Sequence, residues 1–430
     1  MKKLICALLL LCLSLPAFAA QTDIANSVVD AFIASDFQKI ESLLNDEVRA
    51  AIGAEQLEQA WAIQTQALGA FIDIADLQTD GSTEILLLRH ENGAQNLIIT
   101  WDDQGKIAGL VLSPAVPSAP MVDRALPGNA VETEVILFSG TEKELSGKII
   151  EPGSENAPYV VFVHGSGPSD MDETIYGNKP FRDIAYDLAS LGIGSIRFDK
   201  ITYAHPELTN DTVEQEYLEP VLEAVHVLKE HVPTGKIYIV GHSQGGMLMP
   251  WLVKECDVDG GVSLAGTPCN LWEISYQQNL DSIATLPEDQ QTAMIEIVKN
   301  ERARAEALPE LSESELRTQT IFGLNAFYLH HMGTIDQISI ARNLQKPMLF
   351  LWGEADVQVS REHFDAWEEG LGVSSLFTYK TYPGLNHLFI PAQSGESIGN
   401  IMSYYSIPSS VDASISQSNT ALCSIFVVII

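Results

Sequence analysis

The pentapeptide Gly241-His242-Ser243-Gln244-Gly245 constrains this chain more than any other stretch. It follows the apolar run Lys236-Ile237-Tyr238-Ile239-Val240, which predicts a buried strand, and precedes Gly246-Met247-Leu248-Met249, which opens a helix. Strand, tight turn and helix together make a nucleophile elbow. The flanking glycines are needed because the turn leaves no room for side chains, and the serine is lifted out on strained backbone. At average glycine and serine usage, a chain of this length holds the bare pattern about one time in ten. The strand–turn–helix context therefore carries the reading, against the blander one of a serine in an ordinary Gly-rich turn.

A serine hydroxyl needs a base to take its proton and a third group to orient that base. In open α/β sheets that carry an elbow, an acid follows the serine in the chain and a histidine follows the acid. Asp356 lies in Leu351-Trp352-Gly353-Glu354-Ala355-Asp356, just past an apolar strand over 348–352 and so at a carboxyl end, where such sites gather. Its plain alternative is a loop aspartate capping the next helix, and Glu354 is the runner-up acid. His387 lies in Pro383-Gly384-Leu385-Asn386-His387-Leu388-Phe389, a loop after the last strand. His363 falls in an amphipathic helix with Phe364, Trp367 and Leu371, and His330 and His331 fall in an insert. An oxyanion hole takes one backbone N–H from the residue after the nucleophile, Gln244, and one from the loop after an earlier strand. That loop is His164-Gly165-Ser166-Gly167-Pro168, with Ser166 the donor and His164 a brace for the loop.

The chain reads as two domains after a leader. Residues 1–19 form a secretory signal: Lys2 and Lys3, an apolar stretch over 4–15 too short to span a bilayer, and the small-x-small site Ala17-Phe18-Ala19. Leu11 before Cys12 is not the small residue a lipobox wants, so export as a soluble protein, periplasmic or secreted, is expected. Over 20–113 a helical period (Ile24, Val28, Phe32, Ile33) gives way to strands over 71–77, 83–89, 96–101 and 106–112, an α+β domain. It holds no Ser/His/Asp cluster and is assigned to packing, dimerisation or substrate access. Pro114, Pro117, Pro120 and Pro127 mark a linker over 114–130. Over 131–400 strands alternate with helices, which implies a mostly parallel central sheet with helices on both faces. Strands are expected over 133–138, 145–150, 159–163, 195–198, 261–265, 348–352 and 376–382, with a long helix over 212–232. Residues of about 266–345 show no strand pattern and read as a helical cap, with helices over 287–300, 301–308 and 314–322. Phe322, Phe327 and Tyr328 are candidates to line an acyl pocket there, or equally to fill the cap's own core. The tail over 401–430 is serine-rich and then apolar from Ala421 to Ile430, too short for a membrane span.

The formal net charge of −33 repels phosphate, so nucleic acid is not an expected partner. Cys6 and Cys12 leave with the leader, and the remaining Cys256, Cys269 and Cys423 are no disulfide framework, although a Cys256–Cys269 bridge is open in an oxidising compartment. Cys-x-x-Cys and His-Glu-x-x-His are both missing, so neither metal nor cofactor is expected.

Four segments carry a resemblance: VVFVHGSGPSDMDETIYGNKPFRDIAYDLASLGIGSIRFDK, IYIVGHSQGGMLMP, KPMLFLWGEADVQV and YPGLNHLF. The chain resembles the α/β-hydrolase fold family, in its bacterial exported esterase form, where a DUF3887-like domain precedes a dienelactone-hydrolase-like or acyl-peptidase-like catalytic domain. The resemblance implies carboxylester hydrolysis by Ser243, Asp356 and His387 on a small-molecule ester, and does not fix the natural ester. Two departures stand out. Relatives often have an arginine after the pair Asp199-Lys200, where this chain has Ile201. Relatives also tend to end in an amphipathic helix packed on the sheet, where this chain is polar from Ser403. The same chemistry would serve a peptidase or amidase, or an acyltransferase. A non-catalytic binding protein on the same fold is the rival from another class.

Overall fold

The computed structural model describes residues 15–417 except 81, 92, 103, 116–123, 209–210, 232–234, 286–287, 399–400 and 402–408. The chain divides into two compact units, Met1–Ala119 and Pro120–Ile430.

In the first unit, helices α1 (Leu15–Ile33), α2 (Phe37–Leu43), α3 (Asp46–Ala51) and α4 (Ala54–Leu68) precede strands β1 (Phe71–Asp80), β2 (Thr83–His90), β3 (Gly93–Trp101) and β4 (Ile107–Ala115). The strands pair in chain order as an antiparallel meander. Asp36 and Asn45 accept the backbone N–H groups of Lys39 and Val48 and so start α2 and α3. Val28, Phe32, Ile40 and Trp61 bury against Leu86, Leu88, Leu97 and Ile99. Ile33 shares the helical period but is exposed. The linker expected from residue 114 begins later, because β4 runs through Pro114. Proline is tolerated there because β4 is an edge strand and its missing N–H costs no ladder bond on the open side.

The second unit is built on one sheet with strands β5 (Val131–Leu137), β6 (Leu145–Glu151), β7 (Tyr159–Val163), β8 (Gly194–Phe198), β9 (Ile237–His242), β10 (Gly260–Leu264), β13 (Met348–Gly353) and β14 (Phe377–Tyr382). Their order across the sheet is β14-β13-β10-β9-β7-β8-β6-β5. β6 runs antiparallel to both its neighbours, and the remaining pairs are parallel. Alternate residues feed two cores, as a sheet covered on both faces requires. Val161 and Val163 of β7 join Ile239, Leu248 and Phe350 on one face; Val160 and Phe162 join Val240, Phe181 and Leu349 on the other. Each such buried side chain contributes about 1.5–3 kcal/mol.

Helices α5 (Pro180–Ser190), the single turn α6 (Ile201–Ala204), α7 (Glu219–His231) and α8 (Gln244–Glu255) connect the strands. The helix expected over 212–232 is broken in character: a π-helical turn, Glu214–Leu218, runs directly into α7. Between β10 and β13 lies the cap: α9 (Leu271–Ile283), α10 (Glu288–Glu306), the 3₁₀ turn Leu308–Glu310, α11 (Glu313–Leu316), β11 (Thr320–Ile321), β12 (Leu324–Asn325), α12 (Ala326–Gly333) and α13 (Gln337–Leu344). It has a small core of its own around Leu308, Leu316, Ile321 and Leu329. Two expectations fail in the cap. One helix covers most of the span read as two, and of the helix expected over 314–322 only the single turn α11 forms, followed by the short hairpin of β11 with β12. After β13 and β14 and the intervening α14 (Arg361–Leu371), a short helix α15 (Ala413–Gln417) returns to the sheet. Val411 and Ile415 join the core containing Phe181, and Ser409 N–H donates to Asn178 Oδ1 at 2.8 Å, so this part of the polar tail packs on the domain. Residues 421–430 lie outside the described residues. Cys256 and Cys269 are free thiols and form no bridge.

Candidate active site

The carboxyl ends of neighbouring parallel strands deliver the site. Ser243 follows β9, the central strand between β7 and β10, and Asp356 and His387 follow β13 and β14. Ser243 stands at φ 51°, ψ −114°, a conformation a non-glycine residue keeps only when its surroundings over-determine it. They do so here: Ser243 N–H donates to Leu264 O and its carbonyl accepts Met247 N–H, both at 2.8 Å. The glycines are geometric necessities. A Cβ on Gly241 would meet Gly245 O at 2.2 Å, and one on Gly245 would meet Val163 O at 2.4 Å.

His387 is buried, and its Nδ1–H donates to Asp356 Oδ2 at 2.7 Å. The other carboxylate oxygen, Oδ1, accepts the N–H groups of Gln358 at 2.7 Å and Val359 at 3.0 Å. Asp356 therefore braces its own turn while holding the imidazole. The next helix, α14, is capped by Ser360 instead. Glu354 accepts from Thr381 Oγ1 at 2.7 Å on the exposed surface. The His387 loop is tied by Asn386, whose side chain accepts Leu388 N–H at 3.1 Å and donates to Glu396 at 3.1 Å. His242, the residue before Ser243, donates from Nε2 to the carbonyl of His387 at 2.9 Å, so the histidine loop is pinned to the elbow.

Ser243, Ser166 and Gln244 line one cavity of about 470 Å³. The loop over 164–168 passes so close to the elbow that a Cβ on Gly165 would lie 3.2 Å from Ser243 Cβ. Gln244 is the first residue of α8, where backbone N–H groups have no intrahelical acceptor. His164 donates from Nε2 to Asp170 O at 2.9 Å and packs against the rings of Phe181 and Phe198. Burial pushes its pKa down to about 4, so it sits neutral in the loop. The cap supplies the far wall, with Leu271, Ile274, Phe322, Leu324 and Tyr328 facing the cavity. Phe327 is not part of this wall. It packs with the cap's own core, and Arg317 lies over its ring at 3.8 Å.

Two residues escaped the sequence reading, and a third, Tyr328, enters it only as a pocket or cap-core candidate. Lys200, two positions past β8, is buried and donates to Gly165 O at 2.8 Å and Gly167 O at 3.0 Å, while paired with Glu216 at 2.6 Å. Burial lowers its pKa while Glu216 opposes the shift. Tyr217 OH also donates to Gly165 O at 2.8 Å, so the carbonyl sides of this loop are fixed from beneath. Ile201 after Lys200 is simply core. Tyr328 accepts from the Gln244 side chain at 2.7 Å, tying the cap to the start of α8. The position of Lys200 at a strand's carboxyl end was the available signal. Tyr217 carried none. Among the described residues no cluster of His, Cys, Asp and Glu gathers that could hold a metal ion.

A doubly covered, mostly parallel sheet with a serine elbow at its centre and an Asp–His pair on later strands defines an α/β hydrolase. Residues 160–396 match the Alpha/beta hydrolase family, and the chain belongs to it. Residues 25–110 match a family described as a protein of unknown function, DUF3887. Esterase EstD of Thermotoga maritima is 31% identical over 390 residues, covering 89% of this chain and 91% of its own length. Among solved structures, Est1E from Butyrivibrio proteoclasticus is similar at 19% identity, covering 64% of this chain and 96% of its own, with a TM-score of 0.41. The Pyrococcus furiosus esterase Pf2001 is similar at 16% identity, covering 70% and 98%, with a TM-score of 0.42.

Proposed function

We propose that this chain is an exported serine carboxylesterase that hydrolyses short- to medium-chain acyl esters. The observation that carries the reading is the hydrogen bond of 2.7 Å between His387 Nδ1 and Asp356 Oδ2, in a loop bonded to the residue before the strained Ser243. EstD, alike over most of both chains, is named an esterase, which supports ester bonds as the target. In this mechanism His387 Nε2 takes the Ser243 hydroxyl proton as Oγ attacks the acyl carbon. Asp356 holds the imidazole tautomer and stabilises the imidazolium. The backbone N–H groups of Ser166 and Gln244 receive the developing oxyanion, each donor being worth about 2.7–4 kcal/mol. The alcohol leaves with the proton from His387, and water, activated by the same imidazole, releases the acid. A cavity of about 470 Å³ with Leu271, Ile274 and Leu324 in its wall suits a modest acyl group.

Export rests on the leader over 1–19, of which residues 1–14 lie outside the described residues. Cleavage after Ala19 would shorten α1 but leave its buried residues Ala25, Val28, Val29 and Phe32 in place. A fluorophosphonate probe should label the wild type once and the Ser243→Ala variant not at all. A series of nitrophenyl acyl esters, with an amide and an added alcohol alongside, separates the esterase from the amidase and the acyltransferase. Labelling that survives Ser243→Ala, or faster turnover of the amide than of every ester, overturns the reading. The mass of exported material should correspond to a chain starting at or next to Ala20, and a lipid-modified Cys12 would refute soluble export.

A further inference from the structure

Behind the elbow, a second histidine meets a second carboxylate. Glu173 and His242 are both buried, and the mechanism above uses neither side chain. Glu173 sits at φ 53° in the loop that returns from 164–168, a strained position that brings its carboxylate inward. Its Oε1 accepts Gly165 N–H at 2.7 Å. Its Oε2 meets His242 Nδ1 at 2.9 Å without the alignment of a regular hydrogen bond. On the far side His242 Nε2 donates to the backbone carbonyl of His387 at 2.9 Å, and the two rings lie 4.8 Å apart. A continuous chain therefore runs from the oxyanion loop through Glu173 and His242 to the main chain of the general base.

The proton count along this chain is constrained. His387 O can only accept, so His242 Nε2 carries a hydrogen. At 2.9 Å Nδ1 and Oε2 cannot both present lone pairs, so one of them carries a proton, and with that proton on Nδ1 the contact is an ion pair. We infer that Glu173 and His242 form a permanent buried ion pair that positions the oxyanion loop and the His387 loop as one unit, making both residues positioning residues for the esterase reaction. The inference rests on the esterase reading of Ser243. Burial alone would raise the Glu173 pKa and lower that of His242; their mutual charge, with the backbone hydrogen bonds of Glu173 to Gly165 and of His242 to His387, outweighs it and holds Glu173 below and His242 above their ordinary values. The other charged or titratable groups facing the pair are Asp356, His387, His164, Lys200 and Tyr217.

Nitrogen NMR of histidine-labelled full-length protein tests the ion pair directly, with His242 assigned by loss of its signals in H242Q. In the wild type, both ring nitrogens of His242 should stay protonated from about pH 6 to about pH 8, although a free imidazole loses its proton within that span. In E173Q the same ring should be neutral at about pH 7. Kinetically, E173Q and H242Q should each lower kcat by about 10- to 100-fold, with KM changed less than about 2-fold, because they loosen groups that act on the transition state. The double variant should be no slower than the slower single one, since both substitutions cut one chain. A neutral His242 in the wild type, an unchanged kcat in E173Q, or losses that multiply in the double variant would each overturn the inference. The wild-type spectrum needs no variant to fold. Fluorophosphonate labelling of the wild type separates the two readings: without labelling the esterase reading fails, while the spectrum still decides the pair.

Discussion

Acid should unfold this protein partly through His164, and the size of the effect follows from its surroundings. The imidazole is enclosed by Phe181 and Phe198, and its Nε2–H is committed to Asp170 O. Burial pushes its pKa from 6.5 down to about 4. A histidine depressed in the folded state contributes stability that is complete above the unfolded pKa and is lost as pH falls towards the folded one, because the unfolded chain then binds the extra proton. The window is therefore pH 6.5 down to about 4. Between about pH 7 and about pH 4.5 the linkage amounts to roughly 2 kcal/mol from this one side chain. The comparison is His164→Gln, whose amide can still reach towards Asp170 O and does not titrate. Urea unfolding across the pH series should find the variant weaker than wild type near neutrality, with the gap closing by roughly 2 kcal/mol at about pH 4.5. Parallel pH dependences for the two proteins would refute the argument, since groups common to both cancel in the difference.

Asp356→Asn should lower kcat/KM of ester hydrolysis by about 10⁴-fold, as loss of a triad acid does elsewhere, whereas Glu354→Gln should stay within about 3-fold because that side chain accepts from Thr381 on the exposed surface. Equal losses in the two variants would reverse the assignment. Lys200→Met should leave the part-buried Glu216 without its cation and cost about 3–5 kcal/mol in urea unfolding; a cost below about 1 kcal/mol would show that cavity water solvates this carboxylate. Ile274→Ala and Leu271→Ala widen the cap wall and should move the preferred ester to longer chains, at about 1–3 kcal/mol per methylene-sized contact, read from kcat/KM across the nitrophenyl series.

The catalytic sheet was legible because burial on both faces leaves strands no polar alternation to hide in. Tyr159–Val163, Ile237–His242 and Met348–Gly353 are buried along their whole length, and their ends locate the loops that matter. The elbow was legible because Gly241 and Gly245 have backbone atoms where a Cβ would go, so packing itself dictates the letters. The cap was not. Helix α10 exposes Met294 and Ile297 and buries only a thin stripe including Val298 and Ala305, so no strong period runs through it. The π-helical turn before α7 inserts a residue into the helical phase without any change in composition. Glu173 and Lys200 act on main-chain atoms of the loop over 164–168, and Tyr328 acts on the Gln244 side chain 84 residues away, and no sequence period reports such partnerships. The end of the chain misled for a related reason: Ile415 packs home from a five-residue helix too short to show periodicity.

The cap occupies what is topologically a single crossover. β10 and β13 are adjacent and parallel, with Gly261 opposite Met348, so the insert leaves one strand and rejoins its immediate neighbour. Lengthening such a connection carries a small entropic penalty, about 0.6 kcal/mol for each doubling, and leaves the pairing on either side untouched. Evolution can thus redraw the chamber above Ser243 without re-registering the sheet beneath it.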